Sequence, residues 1–125
     1  MKENNVIVEK SKSFALRIIK LSDFLITKKL FSFADQVLRS GTSIGANVRE
    51  ATAAQSRNDF LAKMYIAFKE AVETEYWLEL LYEGGKIETA AFESIVSDCR
   101  ELIRILSSIT KTTKSPRSDS SPGNS

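Results

Sequence analysis

The 125-residue chain has no histidine, one cysteine (Cys99) and two prolines, Pro116 and Pro122, which both lie in its last ten residues. The absence of histidine excludes Ser-His and Cys-His catalysis and histidine-ligated metals, and a single cysteine excludes an internal disulfide and a cysteine-cluster zinc site. Few prolines and only five glycines argue against a turn-rich all-β fold and favour long helices. We therefore expect a helical protein that is not an enzyme and holds no cofactor.

Long hydrophobic runs are also missing. No apolar stretch approaches the roughly 20 residues that a membrane-spanning helix needs, and the N-terminal sequence MKENNVIVEKSK lacks the apolar segment of a signal peptide. Hydrophobic residues make up 42% of the chain and charged residues 27%, as in ordinary globular proteins. We expect one cytoplasmic domain that does not interact with a membrane.

Apolar residues recur at helical spacing in four segments, which predicts helices over about 5–28, 33–55, 57–83 and 88–111. Their connections are short, and short connections make consecutive helices antiparallel neighbours. The prediction is an all-α fold, an antiparallel up-down-up-down four-helix bundle over residues 1–112. Residues 113–125 are rich in Ser and Pro and contain no apolar side chain, so we expect a disordered C-terminal tail.

Helix boundaries carry recognisable signals. Ser32 followed by Asp35 resembles a capping box for the second helix, and Ser56 followed by Asp59 resembles one for the third. The two glycines at 84–85 are typical of a helix C-terminus.

The third predicted helix has an unusually wide apolar surface. Beside its main stripe it carries a second one, formed by Leu61, Tyr65, Phe68, Val72 and Tyr76. Together the stripes cover about 200°, whereas a surface helix of a bundle needs little more than about 100°. This helix is therefore either central or covered by another subunit. Cys99 lies in the apolar stripe of the fourth helix, which indicates a small buried side chain and not a reactive thiol.

Glu75 and Trp77 of the third helix do not fit its apolar pattern in a simple way. Glu75 falls inside the apolar arc, and a buried carboxylate needs a partner. We expect Arg39, Arg49 or Asn47 of the second helix to provide it. Trp77 projects away from the main arc and is either partly exposed or an anchor in an interface.

The second helix combines small residues with a polar stripe. Gly41 and Gly45 lie one turn apart and allow a neighbouring helix to approach closely. The polar stripe consists of Gln36, Ser40, Ser43, Asn47 and Glu50. Its small hydroxyl and amide groups indicate either a hydrogen-bonded contact with another helix or an ordinary wet surface.

Charge is unevenly distributed along the chain. Residues 1–69 contain 12 Lys or Arg and 6 Asp or Glu, whereas residues 70–101 contain 2 and 9. Three interpretations are open. The basic and acidic segments attract each other within one bundle, they form charge-complementary contacts between subunits, or the basic segment provides a face for a polyanion. On the first helix, Lys10, Arg17, Lys20 and Lys28 share one sector, which is either a solvated face or a candidate nucleic-acid-binding stripe.

The sequence from 39 to 60, RSGTSIGANVREATAAQSRNDF, resembles the four helix bundle protein family, also called the 23S ribosomal RNA intervening-sequence protein or S23 family. The family motif on the second helix is matched by Arg39, Ser43, Ile44, Asn47 and Glu50. The pattern on the third helix is matched by Glu70, Glu73, Glu75, Tyr76, Trp77 and Leu78.

The resemblance implies a ring-like homopentamer without enzymatic activity. The wide apolar arc of the third helix, the polar stripe of the second and the uneven charge lead us to expect an oligomeric scaffold or adaptor. It gives structural or interface roles to six residues: Arg39, Ser43, Asn47, Glu50, Glu75 and Trp77. The similar accessory protein of diversity-generating retroelements is pentameric and strongly basic, and it binds a reverse transcriptase and nucleic acid. The alternative expectation is therefore an accessory factor that binds RNA, DNA or a nucleic-acid-processing protein through the basic face of the first helix.

Overall fold

Four helices account for nearly all of the described chain. The computed structural model describes the backbone of residues 2–120 and the side chains of residues 5–111. Its helices are α1 (Lys2–Thr27), α2 (Phe31–Thr52), α3 (Arg57–Glu83) and α4 (Thr89–Ser120), and the described residues form no strand. Contacts join α1 to α2, α2 to α3, α3 to α4 and α4 to α1, with none across either diagonal. The prediction of an all-α up-down-up-down bundle is confirmed.

Helix α4 spans Thr89–Ser120, whereas the prediction ends it at about Lys111. The side chains of residues 112–120 and all of residues 121–125 lie outside the described part, so the predicted disorder of residues 113–125 is not tested. It stays a prediction.

The boundaries of α3 follow their sequence signals. The backbone N–H of Asp59 donates a hydrogen bond to Ser56 Oγ at 3.0 Å, as the capping motif predicts. At the other end, Gly85 has a φ of 74°, in the left-handed region that favours glycine. The N–H of Lys86 then donates to the carbonyl of Leu81 at 2.8 Å, which closes the helix.

The predicted capping box of α2 is wrong. The helix begins at Phe31, directly after Leu30, and no side chain caps it, so Ser32 lies inside the first turn. The reason is the tight turn before it. Lys29 takes a φ of 61°, and the N–H of Leu30 donates to the carbonyl of Leu25 at 2.9 Å. This turn ends α1 and starts α2 without leaving a residue in the extended cap conformation.

All four helices contribute to one continuous core. Its largest fully buried side chains are Ile7, Phe14, Ile18, Leu25, Val37, Ile44, Val48, Met64, Leu78, Leu81, Leu102 and Leu106. The predicted burial of Cys99 is confirmed, since its side chain is inaccessible and its thiol lies 3.4 Å from the carbonyl of Ala71.

A close helix contact joins α1 to α2. A Cβ atom added to Gly41 would lie 2.7 Å from Ile18 Cγ1, and one added to Gly45 would lie 3.4 Å from the carbonyl oxygen of Ser11. Next to this contact, the buried hydroxyl of Ser22 donates to the carbonyl of Ala34 at 3.3 Å. The small residues of α2 therefore serve the close approach that the sequence predicts.

The two glycines provide a matched test of this contact. Both Gly41→Ala and Gly45→Ala gain about 1 kcal/mol of helix propensity. Only the added methyl at 41 overlaps the fully buried Ile18, and overpacking of this kind typically costs about 1–3 kcal/mol. We expect Gly41→Ala to have the lower free energy of unfolding by about that difference, as measured by urea denaturation. Equal stabilities of the two variants would contradict the close packing of α1 on α2.

Burial also controls the chemistry of Cys99, because it raises the pKa of the thiol from its usual 9.0 to about 12. At pH 8 this lowers the thiolate fraction by a factor of about 1,000. We expect Cys99 of the folded protein to resist Ellman's reagent for hours and to react at once in guanidinium chloride. Rapid reaction of the folded protein would show that the α3–α4 interior opens readily.

Candidate functional site

The predicted basic face of α1 lies against α4. Lys10 Nζ is 3.2 Å from a carboxylate oxygen of Glu101, and Arg17 Nη1 is 2.7 Å from one of Asp98. Arg17 also donates to Ser94 Oγ at 2.9 Å. Two of the four candidate nucleic-acid-binding residues are therefore already paired with acidic residues of the same bundle.

The other two candidates, Lys20 and Lys28, are exposed and form no ion pair with any described side chain. They lie one turn before and one turn after Phe24. The ammonium group of Lys28 is 5.6 Å from the centre of the Phe24 ring. The basic face thus divides into a paired half, at Lys10 and Arg17, and an unpaired half.

The unpaired half borders a groove that sequence reasoning missed. This α1–α4 groove has a volume of about 780 Å³. It is lined by Arg17, Lys20, Leu21, Phe24, Lys28, Gly85, Lys86, Ile87, Glu88, Ala91 and Ile95. No sequence pattern identifies it, because its two walls, residues 17–28 and 85–95, are far apart in the chain and meet only in the fold.

Several motif residues form one cluster between α2 and α3. The Arg39 guanidinium pairs with the carboxylates of Glu70 and Glu73. The indole N–H of Trp77 donates to Glu73 at 3.0 Å, and its ring meets Phe33 edge-on with centroids 6.3 Å apart. Trp77 is half-buried against the core and fixes the α2–α3 contact from within the bundle.

The polar stripe of α2 has mixed roles. Ser40 and Thr74 are both buried, and Thr74 Oγ1 donates to Ser40 Oγ at 2.9 Å, which is the predicted hydrogen bond between helices. Ser43 Oγ and the amide of Asn47 instead donate to the carbonyls of Arg39 and Ser43 in their own helix. The polar stripe is therefore only partly a seam between helices.

Glu50, at the end of this stripe, is 3.0 Å from the ammonium group of Lys63 on α3. Hydrogen bonding to Glu50 raises the pKa of Lys63. The pair joins α2 to α3 near the short loop between them.

The predicted partner of Glu75 is wrong. Its carboxylate accepts a hydrogen bond at 2.7 Å from Arg100 of α4, and the same guanidinium reaches Glu79 at 3.1 Å. Hydrogen bonding to Glu75 raises the pKa of Arg100. The error arises because periodicity gives the angle of Glu75 around α3 but not the helix that lies on that flank. That helix is α4, so none of Arg39, Arg49 and Asn47 reaches it.

Large apolar side chains remain exposed on two separate surfaces. The α1–α2 apolar face is defined by Leu16, Ile19, Ile26 and Phe31, which are 42–57% exposed. The α3 apolar face is defined by Tyr65, Val72 and Tyr76, which are 42–53% exposed. The first was not predicted, although the spacing of Leu16, Ile19 and Ile26 carries its signal.

The α3 apolar face is the outer part of the second stripe predicted for that helix. Phe68, from the same stripe, packs against the core and stacks on Tyr65 with ring centroids 5.9 Å apart. Because α3 contacts only α2 and α4, it is not a central helix. Its wide apolar arc is therefore open along Tyr65, Val72 and Tyr76.

The two apolar faces lie on opposite flanks of the bundle. Ile19 and Ile26 are each about one turn from Ser22, whose hydroxyl contacts α2, so the first face is on the α1–α2 flank. Tyr65 shares a shallow depression with Ser107 and Thr110 of α4, so the second is on the α3–α4 flank. In a four-membered ring of helices these flanks are opposite each other.

Within residues 5–111, no group of three or more Cys, Asp or Glu side chains is arranged to hold a metal ion. In the same part of the chain, none of the helices combines the length and the apolar character needed to cross a membrane.

Comparison with known proteins agrees with this fold and these motifs. A family model for the 23S rRNA-intervening sequence protein matches residues 3–108. A crystal structure from Bacteroides thetaiotaomicron VPI-5482, of a protein with unknown function from the S23 ribosomal protein family, is 52% identical and has a TM-score of 0.84. The alignment covers 87% of this chain and 98% of that one. No curated protein matches the chain. The resemblance stated from the motifs is confirmed, and the chain belongs to the 23S rRNA-intervening sequence protein family.

Proposed function

We propose that the protein is a non-enzymatic scaffold or adaptor of the cytoplasm that assembles with copies of itself into a closed ring, in the pentameric form implied by the family resemblance. The observation that carries the proposal is the pair of apolar faces on opposite flanks of the bundle. The absence of histidine from the sequence and the burial of its one cysteine support the non-enzymatic part.

The apolar faces favour association because each exposes several large apolar side chains close together, and covering them with another subunit removes apolar surface from water. Seven such side chains, each about half exposed, belong to the two faces. Completing the burial of a half-exposed large apolar side chain contributes about 1 kcal/mol. The sum is comparable to the lower estimates of the rotational and translational entropy cost of association, about 4–15 kcal/mol.

The placement of the faces favours a ring over a two-fold dimer. A two-fold interface brings the same patch of both subunits together, whereas two different patches on opposite flanks join head to tail. Head-to-tail contacts close into a ring when the rotation between neighbours divides a full turn. The α1–α2 apolar face of one copy then covers the α3 apolar face of the next.

The alternative function, an accessory factor that binds RNA or DNA through Lys10, Arg17, Lys20 and Lys28, has less support. Lys10 and Arg17 are engaged by Glu101 and Asp98 within the same chain. Each copy offers only Lys20 and Lys28 of this set to a phosphate backbone. Repetition around a ring would raise the avidity of such a weak site, so this alternative depends on the assembly proposed first.

Solution mass is the first test. Size-exclusion chromatography with light scattering should give about five times the chain mass of 14.0 kDa for the untagged protein. A monomer at micromolar concentration would overturn the proposal. A mass that corresponds to another whole number of three or more subunits would keep the ring and correct its stoichiometry.

Two face variants test the head-to-tail arrangement. We expect Ile19→Lys/Ile26→Lys and Tyr65→Lys/Tyr76→Lys to be monomeric, because each places cations in one half of every contact. A mixture of the two should form a one-to-one dimer of about twice 14.0 kDa, since each variant keeps the face that the other lacks. Light scattering of the separate and mixed samples measures this.

The matched control is Ile66→Lys, which adds the same charge at an apolar residue of α3 that is 37% exposed and outside both faces. It should keep the mass of the wild type, and circular dichroism should show unchanged helix content in all variants. If only one face variant dissociates and mixing restores nothing, the contact is two-fold and the ring is wrong.

A further inference from the structure

The α1–α4 groove lies where the bundle is least tightly packed, because α1 and α4 form the sparsest contact among neighbouring helices. Its floor is apolar and nearly closed to solvent, with Ile87 and Ile95 only 8% and 6% exposed. Leu21 and Phe24 form the α1 wall. The small side chain of Ala91, on the first turns of α4, leaves the space opposite them unfilled.

The groove carries an excess of unpaired positive charge. Lys20 and Lys28 border it from α1, and Lys86 borders it from the loop between α3 and α4. None of the three forms an ion pair with a described side chain. Glu88 is the one acidic residue in the lining. Arg17, held by Asp98 and Ser94, gives one end of the groove a fixed wall.

We propose that this groove binds a small amphipathic organic anion from solution. The apolar body of the ligand lies on Leu21, Phe24 and Ile95, and its anionic group lies among the ammonium groups of Lys20, Lys28 and Lys86. The volume of about 780 Å³ falls in the range typical of small-molecule sites, roughly 300–1,000 Å³. Apolar walls with a few placed charges are the usual composition of such sites.

The composition of the groove disfavours a nucleic acid. A phosphate backbone needs a long track of cations and would leave the apolar floor uncovered. The groove instead extends over only about three turns of α1, from Arg17 to Lys28. It also lies on a different flank from both apolar faces, so ligand binding and self-association are separable.

The test uses 8-anilinonaphthalene-1-sulfonate, an aromatic anion whose fluorescence rises in apolar surroundings, with the full-length wild-type protein. Decanoate should displace the dye, whereas acetate lacks the apolar body and decyltrimethylammonium lacks the negative charge, so neither should. Lys28→Glu/Lys86→Glu should weaken binding of the dye by at least about tenfold, because it reverses two of the charges that face the anion. Lys12→Glu, on another flank of α1, should leave binding unchanged.

A second pair of variants tests the place of binding by shape. Ala91→Phe fills the groove, whereas Ala90→Phe adds the same ring to the neighbouring exposed residue, which does not line it. Both should fold, and only Ala91→Phe should lose the decanoate-sensitive fluorescence. Equal binding by the two variants would overturn the proposal. Displacement of the dye by an RNA duplex or an acidic peptide, but not by decanoate, would also overturn it. Sedimentation of the protein with anionic phospholipid vesicles would do the same.

Discussion

The arrangement of the four helices in a closed cycle is the constraint on which the other features of this protein depend. Each helix contacts two neighbours and none lies at the centre, so each can bury little more than one stripe of its surface. The apolar residues of α1 and α3 exceed that allowance. Their surplus, together with Phe31 at the start of α2, forms the two apolar faces. Because α1 and α3 lie diagonally in the cycle, the faces point in opposite directions.

The close contact between α1 and α2 has a consequence on the other side of α1. Gly41 lets Ile18 approach the backbone of α2, which draws α1 towards that neighbour. The opposite seam with α4 is held at the surface by ion pairs, Lys10 with Glu101 and Arg17 with Asp98. Such half-exposed pairs contribute only about 0–1 kcal/mol each. One seam is therefore packed through glycine, and the other stays open enough to contain a groove.

Periodicity and local signals were sufficient for the helices, the cap at Ser56 and the core, because these depend on neighbours within one or two turns. The same reasoning failed for the start of α2, where a turn through Lys29 replaces a side-chain cap. It also failed for Glu75, because the position of a residue around its own helix does not reveal which helix lies beside it. The groove and the opposition of the apolar faces require the order of the helices around the bundle, which a linear pattern does not contain.

The four flanks of the bundle consequently differ in chemistry. Opposite flanks carry the apolar faces, the α2–α3 flank carries the Arg39 ion pairs, and the α1–α4 flank carries the groove. In a ring joined through the apolar faces with the helices parallel to its axis, the two remaining flanks become its inner and outer walls. Every copy then presents one groove on the same wall, bordered by Lys20, Lys28 and Lys86. These three lysines are too few to form a polyanion site on one subunit. In the ring they recur at regular intervals, once for each copy.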